Sequence, residues 1–185
     1  MKLLNLIIYF LIIILIILII NEIIHSLLRQ YIRYTIYLNA VKRSKKLNKP
    51  LIVIGNPNNG LGSKLFGQTY GYGDICIDLI GCLNKDKNNH ISIKGDATKS
   101  LKQFTSNSSV IFVSCVLEYI DDIESCIKEL KRVANNNIFV VIVSKYCLSA
   151  YIYGIFPTFG DSSRIKNIFT SAPPNGDFVY KKLNS

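Results

Sequence analysis

An α/β domain built on a mostly parallel sheet, preceded by one transmembrane helix and closed by a carboxy-terminal β-hairpin, is the fold class this sequence predicts. Three observations carry that prediction. From Leu3 to Ile20 every residue except Asn5 is apolar. Beyond Leu51, short Ile- and Val-rich runs recur between turn residues. Among them lies one segment, Asp121–Val133, with apolar residues at helical spacing. Strands alternating with helices imply βαβ units, and hence parallel pairing with right-handed crossovers.

The amino-terminal run fits a membrane anchor. At ~1.5 Å per residue a helix needs about twenty residues to cross ~30 Å of hydrocarbon, and Ile23, Ile24, Leu27 and Leu28 extend the apolar character past Ile20. A cleaved signal peptide has a shorter apolar core followed by small residues, whereas Asn21-Glu22-Ile23-Ile24-His25 offers no such cleavage site. Residues 1–28 are therefore read as an uncleaved single-pass anchor. The net charge of +10 is uneven, because residues 1–50 hold eight Lys/Arg against the single acid Glu22. Arg29, Arg33 and the cluster Lys42–Lys49 follow the anchor, so the weight of basic residues places the carboxy-terminal domain on the cytoplasmic side. It also makes anionic lipid, rather than nucleic acid, the expected partner of that charge. Residues 29–50 read as a basic juxtamembrane helix and linker, with Tyr31, Tyr34 and Tyr37 suited to the membrane interface. The five cysteines (Cys76, Cys82, Cys115, Cys126, Cys147) show no CxxC spacing and only His25 and His90 accompany them. Reduced thiols, a reducing compartment and no metal site are the expectation.

The domain occupies residues 51–185. Leu51–Ile54, Asp74–Ile80, Val110–Ser114 and Ile138–Val143 are mostly apolar without strict alternation, as strands covered on both faces are. His90–Ile93 is a weaker fifth strand. In Asp121–Val133, Ile123, Cys126, Ile127, Leu130 and Val133 share one face. Acids open that segment, Lys128, Lys131 and Arg132 lie toward its end, and Asn135-Asn136-Asn137 stops it. Arg164–Thr170 and Asp177–Leu183, joined by Ser171–Gly176, read as the closing hairpin.

In such sheets ligands bind beyond the carboxyl ends of the strands, where strand order reverses. The first strand runs into Gly55-Asn56-Pro57-Asn58-Asn59-Gly60-Leu61-Gly62-Ser63-Lys64. Gly55 and Gly60 have Walker A spacing, but Leu61 stands where the phosphate-binding lysine belongs, and G-x-G-x-x-G fails at Leu65. From these residues alone a plain connecting turn reads equally well. Asp78 ends the second strand, and Asp96 follows the third in Lys94-Gly95-Asp96-Ala97. No G-x-S-x-G elbow is present.

The stretch Val110-Ile111-Phe112-Val113-Ser114-Cys115-Val116-Leu117-Glu118-Tyr119-Ile120-Asp121-Asp122, running into Lys128-Glu129-Leu130-Lys131-Arg132-Val133, resembles the fourth strand and following helix of class I S-adenosylmethionine-dependent methyltransferases of the type-11 group. Gly95-Asp96-Ala97 is similar to that family's third-strand motif, and Asp78 to its acid after strand two. The likeness covers roughly residues 51–144. It implies a Rossmann-like fold and S-adenosylmethionine as cofactor. The backbone of Gly55, Gly60 and Gly62 would lie along the methionine part, Asp78 at the ribose hydroxyls and Asp96 at the adenine amino group. Ser114 and Cys115 would line the methyl-transfer side. The acceptor implied is a small molecule, a lipid or a nearby protein, and no particular catalytic base is implied. Three features depart from the family pattern: no acid ends strand one, Gly81–Asn89 is too short for a normal crossover helix, and few residues follow strand five. A non-catalytic methyltransferase-like domain, held at a membrane as a binding or scaffold protein, is the alternative these departures support. The style of the sequence also resembles membrane proteins of large DNA viruses.

Overall fold

The structure, a computed structural model, describes residues 2–58, 63, 67–82, 90–141 and 180–182. Its elements are α1 (Lys2–Leu47), β1 (Leu51–Ile54), β2 (Ile75–Asp78), β3 (Ile91–Lys94), α2 (Ala97–Leu101), β4 (Val110–Ser114), a 3-10 turn (Leu117–Tyr119), α3 (Ile123–Ala134), β5 (Ile138–Val141) and β6 (Tyr180–Lys182). The sheet order is β3-β2-β1-β4-β5-β6. The first five strands are parallel, with Ile52 opposite both Ile75 and Ile111, while β6 pairs antiparallel with β5. The fold is thus α/β with a mostly parallel sheet. The first arm of the expected hairpin, Arg164–Thr170, lies outside the described residues.

Side chains along the strands alternate between two cores. Ile52, Ile54, Ile75, Ile77, Ile111, Val113, Ile138 and Val140 pack against α2 and α3. Leu51, Val53, Cys76, Val110, Phe112, Phe139 and Val141 face the other way, onto Ile36 and Ala40 of α1. Burial on both faces is why these runs are apolar at every position. Helix α3 begins as its acids suggest: Asp122 Oδ1 accepts the Ser125 N–H at 3.1 Å, and the hydrogen bonds from Ser125 hold this carboxyl below its ordinary pKa. It ends at Asn135, whose φ of 52° is left-handed and whose N–H donates to Lys131 O.

Within residues 29–50, read as a juxtamembrane helix and linker, the helix runs on from the apolar segment without a break as far as Leu47. No Gly or Pro interrupts α1 over its 46 residues. It stops where Asn48 turns left-handed (φ 51°), the Lys49 N–H reaches back to Ser44 O, and Pro50 follows. Its segment Leu4–Ile24 is long and apolar enough to cross a membrane, and its last four turns form one wall of the domain.

The direction of α1 orients everything else. Near its carboxyl end, Arg43 Nε donates to Asn137 Oδ1 at 2.7 Å, and beyond its end Lys49 Nζ donates to Asn107 Oδ1 at 2.8 Å. Both partners precede strands. Arg33, by contrast, donates to Cys115 Sγ at 2.9 Å, just after β4. Ten helical residues rise ~15 Å, about the length of a five-residue strand. Helix α1 therefore runs antiparallel to the strands, and its apolar segment leaves the domain past their carboxyl ends. The cluster Lys42–Lys49 lies at the opposite edge, ~27 Å along the helix from Ile24. That separation exceeds two screening lengths at physiological salt.

One expectation is overturned. Cys76 and Cys82 are joined in a disulfide. The turn Asp78–Gly81, closed by the Gly81 N–H on Asp78 O and a left-handed Gly81 (φ 87°), brings Cys82 back beside Cys76 on the α1 face. Both are fully buried there. Disulfides persist in oxidising compartments, so the cysteines no longer argue for a cytoplasmic domain. Trypsin leaves both cysteines in the peptide Leu65–Lys85. Without reduction this peptide should run two hydrogens light and resist alkylation; alkylation of both thiols in unreduced protein would contradict the pairing.

Candidate functional site

Strand order reverses between β1 and β4, which makes the carboxyl ends of these strands the place where an open parallel sheet leaves a crevice. Gly55 follows β1 there. Its φ of +102° is strained for any side chain, and an added Cβ would lie 2.7 Å from Val116 Cγ2 and 3.0 Å from Ser114 O. Glycine thus lets the β1 turn press against the chain leaving β4. Of the other predicted glycines, Gly60 and Gly62 lie outside the described residues.

Asp78 ties three strand ends together. Its Oδ2 accepts the Asn56 N–H at 2.8 Å and its Oδ1 the Ile80 N–H at 3.0 Å. Its carbonyl accepts the N–H groups of Gly81 and Gly95. The Gly95 bond brings the end of β3, and with it Asp96, beside the end of β2. Asp96 caps α2, its Oδ1 accepting the Lys99 N–H at 3.0 Å. Each carboxylate oxygen accepts two hydrogen bonds, so a ribose diol at Asp78 would share oxygens that already order the backbone. Val116 lies against the Gly55 turn, where the methionine part was expected.

Ser114 is buried at the end of β4. Cys115 follows in a left-handed conformation (φ 51°); the other described non-glycine residues with positive φ are all asparagines. Asparagine adopts that region far more readily than cysteine. The Cys115 N–H donates to Val141 O at 2.7 Å and its sulfur accepts from Arg33, which holds the strained turn over the switch point. Beneath it, Tyr37 and Tyr70 each meet Phe112 edge-to-face, with ring centroids 5.5 and 5.1 Å apart, and lie tilted to one another at 6.0 Å. Burial raises the Tyr70 phenol to about 12, opposed by Arg33 and Ser114. The sequence hid the roles of Arg33 and Asn56. Arg33 looked like a flanking charge, and Asn56 acts through its backbone N–H and through an amide bonded to Gly81 O. The left-handed cysteine had no sequence signal.

Two further features lie outside this cluster. Tyr72 stacks on His90 at 4.3 Å, and its hydroxyl accepts from Asn58 Nδ2. A shallow open depression of about 270 Å³, lined by Asn39, Lys42, Arg43, Lys46 and Phe139, lies between α1 and β5. Among the described residues no group of three or more His, Cys, Asp or Glu is placed to hold a metal. Comparisons with protein-family models and with curated proteins found no match for this chain.

Proposed function

We propose that this chain is a membrane-tethered, Rossmann-like, S-adenosylmethionine-dependent methyltransferase whose acceptor is a small molecule, a lipid or a nearby protein. The observation that carries the reading is the succession of Gly55, Asp78 and Asp96 on the carboxyl ends of β1, β2 and β3, beside the β1/β4 reversal. Strand order 3-2-1-4-5 is that of doubly wound nucleotide-binding sheets, and the motif likeness in Val110–Val133 points the same way. Asp78 would hold the ribose and Asp96 the adenine, while the chain at Ser114 and Cys115 would position the methyl group. Methyl transfer from a sulfonium draws chiefly on positioning, so no nucleophile–base pair is required.

A second reading, a non-catalytic binding or scaffold domain at a membrane, is favoured by two observations. Val116 is seated against Gly55, and both acids already accept backbone N–H groups. Calorimetry on the full-length protein in detergent separates the readings. Under the first, S-adenosylmethionine binds saturably. Asp78→Asn loses the charge and one of the two oxygens that accept the Asn56 and Ile80 N–H groups, and should weaken binding about 10- to 100-fold, the range for a charged hydrogen bond. Folded wild-type protein that shows no heat at millimolar cofactor would leave the scaffold reading standing.

A further inference from the structure

We infer that the carboxyl edge of the sheet rests on the bilayer surface, with Leu79, Ile80 and Tyr119 as its lipid-contacting side chains. The inference rests on Leu4–Ile24 spanning the membrane and is independent of the methyltransferase reading. Arg33 marks the level on α1 of the turn after β4, through its 2.9 Å bond to Cys115. From Ile24 to Arg33 the helix rises ~13 Å, and the polar zone of one leaflet takes up ~5–7 Å of that. What remains is within reach of loop side chains. The surface of α1 marks the same level: Leu27 and Leu28 are exposed, followed by Tyr31 (69%) and Tyr34 (49%) on either side of Arg33. Tyrosines in this position anchor helices at headgroup depth.

The domain's own apolar surface is arranged to match. Outside α1, the large hydrophobic residues exposed among those described are Leu79 (67%), Ile80 (64%), Ile91 (63%) and Tyr119 (47%). Leu79 and Ile80 form the turn after β2, and Tyr119 follows β4, so these three share the edge from which α1 departs toward the anchor. Ile91 opens β3 at the opposite edge. The adjacent Leu and Ile at this turn tip are exposed, whereas a lipid interface would bury them. The contact is apolar rather than ionic, since Asp78, Asp96, Asp121 and Asp122 lie on the same side and the Lys42–Lys49 cluster lies at the far end. A zwitterionic surface is therefore sufficient.

The chain has no tryptophan, so single tryptophans report depth without background. Full-length variants Leu15→Trp, Leu79→Trp, Ile80→Trp, Tyr119→Trp and Ile91→Trp would be reconstituted in phosphatidylcholine vesicles containing lipid brominated close to the headgroup or deep in the acyl chains. Leu15→Trp should lose most of its emission to deep bromines. Leu79→Trp, Ile80→Trp and Tyr119→Trp should lose theirs to shallow bromines, and Ile91→Trp should be unaffected by either. If Leu15→Trp is quenched but positions 79, 80 and 119 behave like 91, the docked edge is refuted and the anchor stands. An unquenched Leu15→Trp removes the anchor and the docking with it.

Discussion

Phe112→Ala should cost the domain about 3–5 kcal/mol, the range for truncating a large buried aromatic, against a total stability of only ~5–15 kcal/mol for a domain of this kind. Phe112 is fully buried on the α1 face of β4 and meets Tyr37 of α1 at 5.5 Å and Tyr70 at 5.1 Å, both edge-to-face. Its removal opens a void where the helix is held to the sheet. Denaturant unfolding in detergent should show the lost stability, and hydrogen exchange should show α1 beyond Ile32 losing protection while Leu4–Ile24 keeps it. Phe112→Leu, which refills part of the space, should cost less than half as much. Pairing Phe112→Ala with Tyr37→Ala in a double-mutant cycle isolates the contact across the helix; aromatic pairs couple by ~0.5–1.5 kcal/mol. An uncoupled pair would mean that α1 does not pack on β4 as described.

The strands were legible because a parallel strand buried on both faces is apolar along its length, and Leu51–Ile54, Val110–Val113 and Ile138–Val141 are. Helix α3 was legible from its face and its caps. A helix beyond the apolar run was expected too, but its extension to Leu47 and its packing on the sheet were not, for a physical reason. Its most buried line toward the sheet is Ile36, Ala40 and Ser44, spaced four apart with only the first large and apolar, while Ile32, Tyr37, Val41 and Leu47 flank it partly buried. Ala40 and Ser44 are buried but small, and small residues carry no hydrophobic signal. The basic residues between them then read as a linker. The Cys76–Cys82 pair was equally hidden, since a separation of six becomes a contact only once Gly81 reverses the chain. At the site, the acids were identified by position, but their backbone partners depend on where the turn after β1 folds. The spacing of glycines does not encode that fold.

Gly55→Ala is expected to destabilise the domain by about 2–4 kcal/mol, combining ~1–2 for a left-handed alanine with ~1–3 for overpacking, less what relaxation recovers. That is a fall in Tm on the order of 10 °C, readable by thermal unfolding in detergent. The cause can be divided. Of the two contacts an added Cβ would make, Val116 Cγ2 at 2.7 Å can be removed, whereas Ser114 O at 3.0 Å and the φ of +102° cannot. Val116→Ala should therefore recover part, not all, of the loss in the double variant. Full recovery would mean the backbone is unstrained, and no recovery would mean Val116 does not lie over the turn. The same pair bears on function, because Val116 occupies the space beside the glycine that a ligand's chain would need under the methyltransferase reading. Val116→Ala alone clears that space at the cost of a small cavity. Cofactor affinity that holds or rises in this variant would indicate that the wild-type side chain moves aside on binding. Wild-type and variant proteins that both bind nothing would identify the Gly55–Val116 contact as a closed structural joint, and the carboxyl edge as a surface for the membrane alone.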